Sequence, residues 1–148
     1  MPLNYMLHIY GTGSLEKYVQ EHIKNIKNIK YFGFQPFSLI FNDLKKAKAM
    51  IFPSLLYEGY PMIIAESFSV GCPVISTNIG NEGDIILDSK GGVVFNLEDK
   101  NDFIVAIEEI IKNNDLYRKN AKLYYDKKLN IKKNYERLSE IYDKAKTI

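Results

Sequence analysis

Two glutamates eight positions apart, Glu58 and Glu66, bracket the run Gly59-Tyr60-Pro61. A carboxylate offers lone pairs to adjacent hydroxyls, so such a pair suits a ligand rich in hydroxyls. The apolar run Ala49 to Phe52 predicts a buried strand. It stops at Pro53, because proline cannot donate to a sheet ladder. Pro61 fits the first position of a helix, where a missing N–H costs nothing. Ile63, Ile64, Phe68 and Val70 give that helix an apolar side, and Gly71 suits its C-terminal cap. The stretch reads strand, loop, helix, with one carboxylate before the helix and one inside it. The N–H groups that open a helix favour an anion such as a phosphate. Phosphate and sugar hydroxyls together describe a nucleotide sugar. On the residues alone, a loop-surface Glu58 and a solvent-facing Glu66 are the plain alternatives, and glutamates at this spacing are common by chance.

The elements that must position this stretch follow from periodicity. Short apolar runs at Met6–Tyr10, Ile29–Phe32, Val74–Thr77 and Val93–Phe95 predict four more strands. A helix is expected from Ser14, with Leu15, Tyr18, Val19, Ile23 and Ile26 as its stripe. Leu39, Ile40, Leu44 and Ala47 mark a second helix, and Ile85 to Leu87 a short helical turn. Asp99 or Asn101 can cap a later helix with the stripe Phe103, Ile104, Ile107, Ile110 and Ile111. Two further helices run at about 116–125 and 131–144, the last with Tyr135, Leu138, Ile141, Tyr142 and Ala145 on one side. The tyrosines there are expected to pack. Continuous apolar strands alternating with amphipathic helices predict an α/β fold with a parallel sheet covered on both faces. Ligands of such sheets bind outside the carboxyl ends of the strands. The loops at 11–14, 33–36, 54–60 and 77–84 then share one rim.

At 148 residues the chain is expected to form one domain over 1–148, with 115–148 as closing helices. No apolar run approaches the roughly 20 residues that span a bilayer. The start, Met1-Pro2-Leu3-Asn4-Tyr5, carries no basic region of a signal peptide. The single cysteine, Cys72, excludes an intrachain disulfide and a cysteine metal cluster, and reads as a small buried residue. The expected compartment is therefore cytoplasmic. His8 and His22 are isolated and read as structural, so no metal site is expected. The net charge of +2 hides an asymmetry: 13 acidic against 9 basic residues up to Ile111, 5 against 11 after it. The basic end could meet an anionic membrane surface or an acidic partner, but a solvated face is the commoner case. Nucleic acid is not an expected partner, since the aromatics sit at helical core spacing.

Glu58-Gly59-Tyr60-Pro61 followed by Ala65-Glu66-Ser67 resembles the E-G-[FY]-P-x-x-x-x-E-[AS] signature of retaining glycosyltransferases of family 4, GT-B type. Four other pieces fall in that family's order. Tyr10-Gly11-Thr12-Gly13 resembles its strand-ending G-x-G, and Tyr31-Phe32-Gly33-Phe34 its F-x-G strand. Gly71-Cys72-Pro73-Val74-Ile75-Ser76-Thr77 resembles its G-x-P-V strand, and Gly91-Gly92-Val93-Val94-Phe95 the strand before a closing helix. The resemblance runs from about Leu7 to Tyr142 and implies the C-terminal, donor-binding half of a GT-B fold.

What the resemblance implies can be placed residue by residue. Glu66 would accept hydrogen bonds from the ribose hydroxyls of the donor. Glu58 would face the donor sugar, orient its hydroxyls and help stabilise oxocarbenium-like charge, as the catalytic candidate. Gly59 would let backbone approach the ligand. The N–H groups of Tyr60 and Met62 would face the diphosphate, and Pro61 would be structural. Gly11 and Gly13 would line the donor site, and Phe34 the base. The donor, a nucleotide-diphosphate sugar, is the only small molecule implied, with no cofactor and no metal. The product implied is a cell-surface glycan or a lipid-linked saccharide.

The family's first donor-domain strand and helix, with their Arg and Lys for the diphosphate, have no counterpart here, nor does its N-terminal acceptor domain. Electrostatic stabilisation of the leaving diphosphate is the main device of such transfer. The chain alone is thus expected to be nearly inactive, needing an N-terminal-domain partner chain or a parent protein, at the inner face of a membrane if its basic helices touch one. The alternative is a non-catalytic interaction module that keeps the fold. A nicotinamide-binding domain is disfavoured, because Glu16 stands where the third glycine of the fingerprint belongs.

Overall fold

The computed structural model describes residues 5–146; the expectation placed on Met1 to Asn4 lies outside them. The chain divides into two compact units, Met1–Asp43 and Leu44–Ile148. All strand pairing is parallel, and helices follow the strands. The strands form two sheets, where the sequence pattern predicts one.

In the first unit, β1 (Leu7–Tyr10) pairs with β2 (Ile29–Gly33). The register slips between Ile9 and Tyr10, so that Tyr10 faces Gly33. Helix α1 (Glu16–Ile23) joins them, and α2 (Phe37–Lys46) follows β2, its residues from Leu44 on belonging to the second unit. The expected α1 stripe does not bury: Leu15, Tyr18 and Ile26 are exposed. A two-stranded sheet gives a helix little apolar surface to sit on. His8 and Tyr10 both bond the Asp43 carboxylate, His8 at 2.7 Å. Burial, then Asp43, pushes the Tyr10 phenol up to about 12. This matches the structural reading of His8. His22 is exposed and bonds the Tyr18 carbonyl of its own helix.

In the second unit the sheet order is β3 (Met50–Phe52), β4 (Val74–Thr77), β5 (Gly92–Phe95). Around it run α3 (Met62–Ser69), α4 (Asn81–Ser89), α5 (Lys100–Lys112), α6 (Asn114–Tyr124) and, beyond a π-helical turn at Tyr125–Leu129, α7 (Ile131–Ala145). Successive β4 side chains enter opposite cores. Val74 joins Ile64 and Phe68 of α3, Ile86 of α4 and Ala121 of α6. Ile75 joins Phe95 and the α5 residues Ala106 and Ile110. The central strand is thus fully buried, as expected of parallel pairing with both faces covered.

Three local readings change. Helix α4 has nine residues rather than one turn, beginning within Asn81-Glu82-Gly83-Asp84. Polar residues and a glycine read as loop there, yet Glu82 and Gly83 are buried against the core. Ile104 lies 45% exposed, because α5 meets the sheet through Ala106 and Ile110. Helix α7 turns its polar side inward: Glu136 and Ser139 are its half-buried residues, while Tyr135, Leu138, Ile141 and Tyr142 face out. The tyrosines expected to pack do not, since nothing among the described residues covers them.

Candidate functional site

Helix α3 and the loop before it carry the candidate residues of the second unit. β3 ends at Phe52, and the chain crosses the carboxyl edge of its sheet through 53–61. Pro61 takes the cap position rather than the first helical one; its carbonyl accepts from the Ile64 N–H at 3.0 Å. Helix α3 closes in a full C-terminal motif: Gly71, at φ 67°, donates to the Phe68 carbonyl and Cys72 to the Ser67 carbonyl. A side chain at Gly71 would also meet the Arg118 carbonyl at 3.2 Å. The Arg118 guanidinium donates to the carbonyls of Ala47, Lys45 and Val70, which fixes the entry to β3 and the exit of α3 together. Cys72 is fully buried, and burial pushes its thiol up.

Glu58 is half-buried in the loop and accepts from the Ser54 hydroxyl at 3.4 Å. Thr77, at the end of β4, donates to the Ser54 carbonyl at 2.7 Å. Asn81 donates through its side chain to the Gly59 carbonyl at 2.8 Å and through its backbone to the Glu58 carbonyl at 3.4 Å. Gly59 has open space around it: a Cβ there would meet nothing within 4 Å. Met62 and Glu66, four apart on α3, share a helix face. Glu66 is half-buried, and desolvation holds its carboxyl above the usual range. The side chains of Tyr60 and Met62 line a cleft of about 770 Å³ with Lys127, Lys128 and Arg137. Its remaining wall includes Glu136 and Glu140 of α7.

In the first unit, Gly11 and Gly13 follow β1 and Phe34 follows β2, so all three stand at the carboxyl edge of that sheet. Gly11 adopts φ 112° and its amide donates to the Gly33 carbonyl, while its own carbonyl accepts the Tyr31 hydroxyl. Phe34 is 77% exposed. Among the described residues no group of three or more His, Cys, Asp and Glu could hold a metal ion, and no helix is long and apolar enough to cross a membrane.

Sequence reasoning missed Asn81 and Glu82. Glu82 is fully buried, and neither of its oxygens has a hydrogen-bond partner among the described residues. The one signal available was Gly80, whose φ of 70° and ψ of −157° mark a backbone built around a close contact.

The family model of the glycosyl transferases group 1 matches residues 2–127. An uncharacterized glycosyltransferase of Methanocaldococcus jannaschii is 26% identical over 93% of this chain and 42% of its own length. A lipopolysaccharide 1,6-galactosyltransferase of Escherichia coli K12 is 29% identical over 73% of this chain and 32% of its own. Among solved structures, Anabaena HepE in complex with UDP superposes with a TM-score of 0.79 at 15% identity, over 95% of this chain and 41% of that one. These likenesses in structure show the α/β fold of GT-B glycosyltransferases. The chain spans less than half the length of these relatives. With its matched segment covering most of the sequence, the chain belongs to the glycosyl transferases group 1 family.

Proposed function

We propose that this chain is the donor-binding part of a retaining glycosyltransferase of family 4, holding a nucleotide-diphosphate sugar at the loop 54–60 and the start of α3. The observation that carries the reading is the corner itself: Glu58 before the helix, a helix start that no side chain caps, and Glu66 one turn in. In this reading the backbone of Tyr60 and Met62 receives the diphosphate across the Gly59 opening. Glu66 accepts the ribose hydroxyls, and Glu58 orients the sugar and opposes its developing positive charge. The family resemblance also assigns donor contacts to Gly11, Gly13 and Phe34, at the strand ends of the first unit. The reading assigns no cofactor beyond the donor. The lipopolysaccharide galactosyltransferase relatives support a surface glycan or lipid-linked acceptor, and the UDP-bound neighbour makes UDP the first nucleotide to test.

Catalysis in this reading needs residues from outside this sequence, either a parent protein or a partner chain with the acceptor domain. The outward apolar stripe of α7 supports that, as a face that a partner would cover. The basic excess after Ile111 would serve contact with an anionic membrane surface in this reading, although a solvated face is the commoner use of such charge. The same α7 stripe also suits a non-catalytic interaction module, the second reading.

Calorimetric titration with UDP, GDP and ADP separates them. Binding of one nucleotide, weakened at least tenfold by Glu66→Ala, is the expected result. Equal binding by both proteins would overturn the site assignment, and no binding to any would leave the interaction module.

A further inference from the structure

The cleft beside the start of α3 is lined by more cations than its acids neutralise. Lys127, Lys128, Lys133 and Arg137 line it, against Glu136 and Glu140. Lys133 is paired with Glu136 at 2.8 Å. Lys128 is paired with Asp88, also at 2.8 Å, and lies over the Tyr124 ring at 4.9 Å. Among the described residues the side chains of Lys127 and Arg137 have no hydrogen bond or ion pair. Two cations are thus left against the single carboxylate of Glu140. The backbone that presents them is tied down. Lys127 and Lys128 lie in the π-helical turn, a conformation frequent at functional sites. Asn130 closes that turn: its amide donates to the Tyr125 carbonyl at 3.0 Å and its side chain to the Asp126 carbonyl at 2.6 Å. The same side chain accepts from the Lys133 N–H at 2.9 Å and so caps α7, which carries Arg137. At 770 Å³ the cleft has the size of a small-molecule site, with Met62 and Leu129 as apolar lining.

We propose that this cleft binds a phosphate-bearing small molecule, with Lys127 and Arg137 as the residues that hold the phosphate. An arginine offers phosphate oxygens a planar fork, and a lysine a mobile point charge. Glu140 works against any anion there, so removing its charge should tighten binding. The site does not rest on the donor reading. The phosphate is either that of the donor, whose proposed seat shares Tyr60 and Met62, or that of a second ligand, and one experiment separates the two sources.

The test is calorimetric titration with inorganic pyrophosphate at low salt, where exposed charges are least screened. The wild type is expected to bind it. Lys127→Ala combined with Arg137→Ala should weaken binding by roughly tenfold or more, the scale of one lost charged hydrogen bond, and Glu140→Gln should tighten it. Lys112→Ala combined with Lys119→Ala removes the same charge from α5 and α6, outside the cleft, and should cost less than about twofold. All four basic positions are exposed, so both double variants keep their core. No binding of pyrophosphate by the wild type, or an equal loss in the two double variants, would overturn the site. The same titration on the UDP-saturated chain identifies the source. Pyrophosphate binding lost there assigns the phosphate to the donor, and binding retained assigns it to a second phosphorylated ligand. A wild type that takes pyrophosphate but none of UDP, GDP and ADP would defeat the donor reading and keep the cleft. One that takes UDP but not pyrophosphate, with UDP affinity unchanged by the loss of Lys127 and Arg137, would do the reverse.

Discussion

Gly59 and Gly80 border the same loop, and the structure predicts opposite outcomes for the same substitution. At Gly80 the backbone sits at φ 70° and ψ −157°, a region that only glycine occupies without strain. Alanine there costs about 1–3 kcal/mol from the backbone alone. Its Cβ would also press on the Glu82 carboxylate at 2.7 Å and on the Glu58 backbone at 3.2 Å. The carboxylate can swing, but the backbone must shift by a few tenths of an ångström, which keeps the total near about 2–3 kcal/mol. For a chain of this size that lowers the melting temperature by roughly 4–10 °C. At Gly59 a Cβ meets nothing within 4 Å, so Gly59→Ala should change stability by less than about 0.5 kcal/mol. If ligand backbone contact uses that opening, the same variant should bind UDP at least tenfold more weakly, a loss of about 1.4 kcal/mol. Calorimetric melting and UDP titration of the two variants give the four numbers. A Gly80→Ala protein as stable as the wild type, or a Gly59→Ala protein that melts early, would refute the geometry on which the site is built.

Phe68→Ala removes the largest fully buried side chain of the unit and should cost about 3–5 kcal/mol, measured by urea unfolding. Arg118→Met keeps the stem but abandons three carbonyls, the nearest at 2.8 Å, and should destabilise by about 2–3 kcal/mol in the same assay. The Glu66 carboxyl is raised by burial, so it takes up a proton at higher pH than an ordinary carboxylate. Folding binds a proton there, so its contribution to stability falls as pH rises from the unfolded pKa through the folded one. Nucleotide affinity should move the other way: ribose hydroxyls need the carboxylate, so UDP binding weakens as pH falls, from above the usual carboxylate range, and Glu66→Gln flattens the profile. Asp88 is held low by Lys128 and Tyr124, so its contribution is present above the unfolded carboxylate pKa and lost as pH falls through the folded one. Acid unfolding of Asp88→Asn should show that loss already at neutral pH.

The central strand of the second unit was legible because parallel pairing buries both its faces; Val74–Thr77 lies as expected from sequence. The corner at Glu58 was legible through Pro53, Pro61 and Gly71, whose backbone restrictions act locally. Helix α4 was not, because Glu82 and Gly83 look like loop residues and their burial comes from the core they meet. Periodicity located the apolar stripe of α7, but a stripe does not say which way it faces; Glu136 and Ser139 turned inward, and the tyrosines outward. The split into two sheets lies in pairing between distant strands, which no local pattern records. Asn81 escaped notice for the same reason: its partners, Glu58 and Gly59, are more than twenty residues away.

The most direct test of a donor site at this corner is an amide chemical-shift map of the chain during titration with UDP. The account predicts the largest shifts at Gly59, Tyr60, Met62 and Glu66. Shifts confined to other surfaces, or none at saturating UDP, would contradict it.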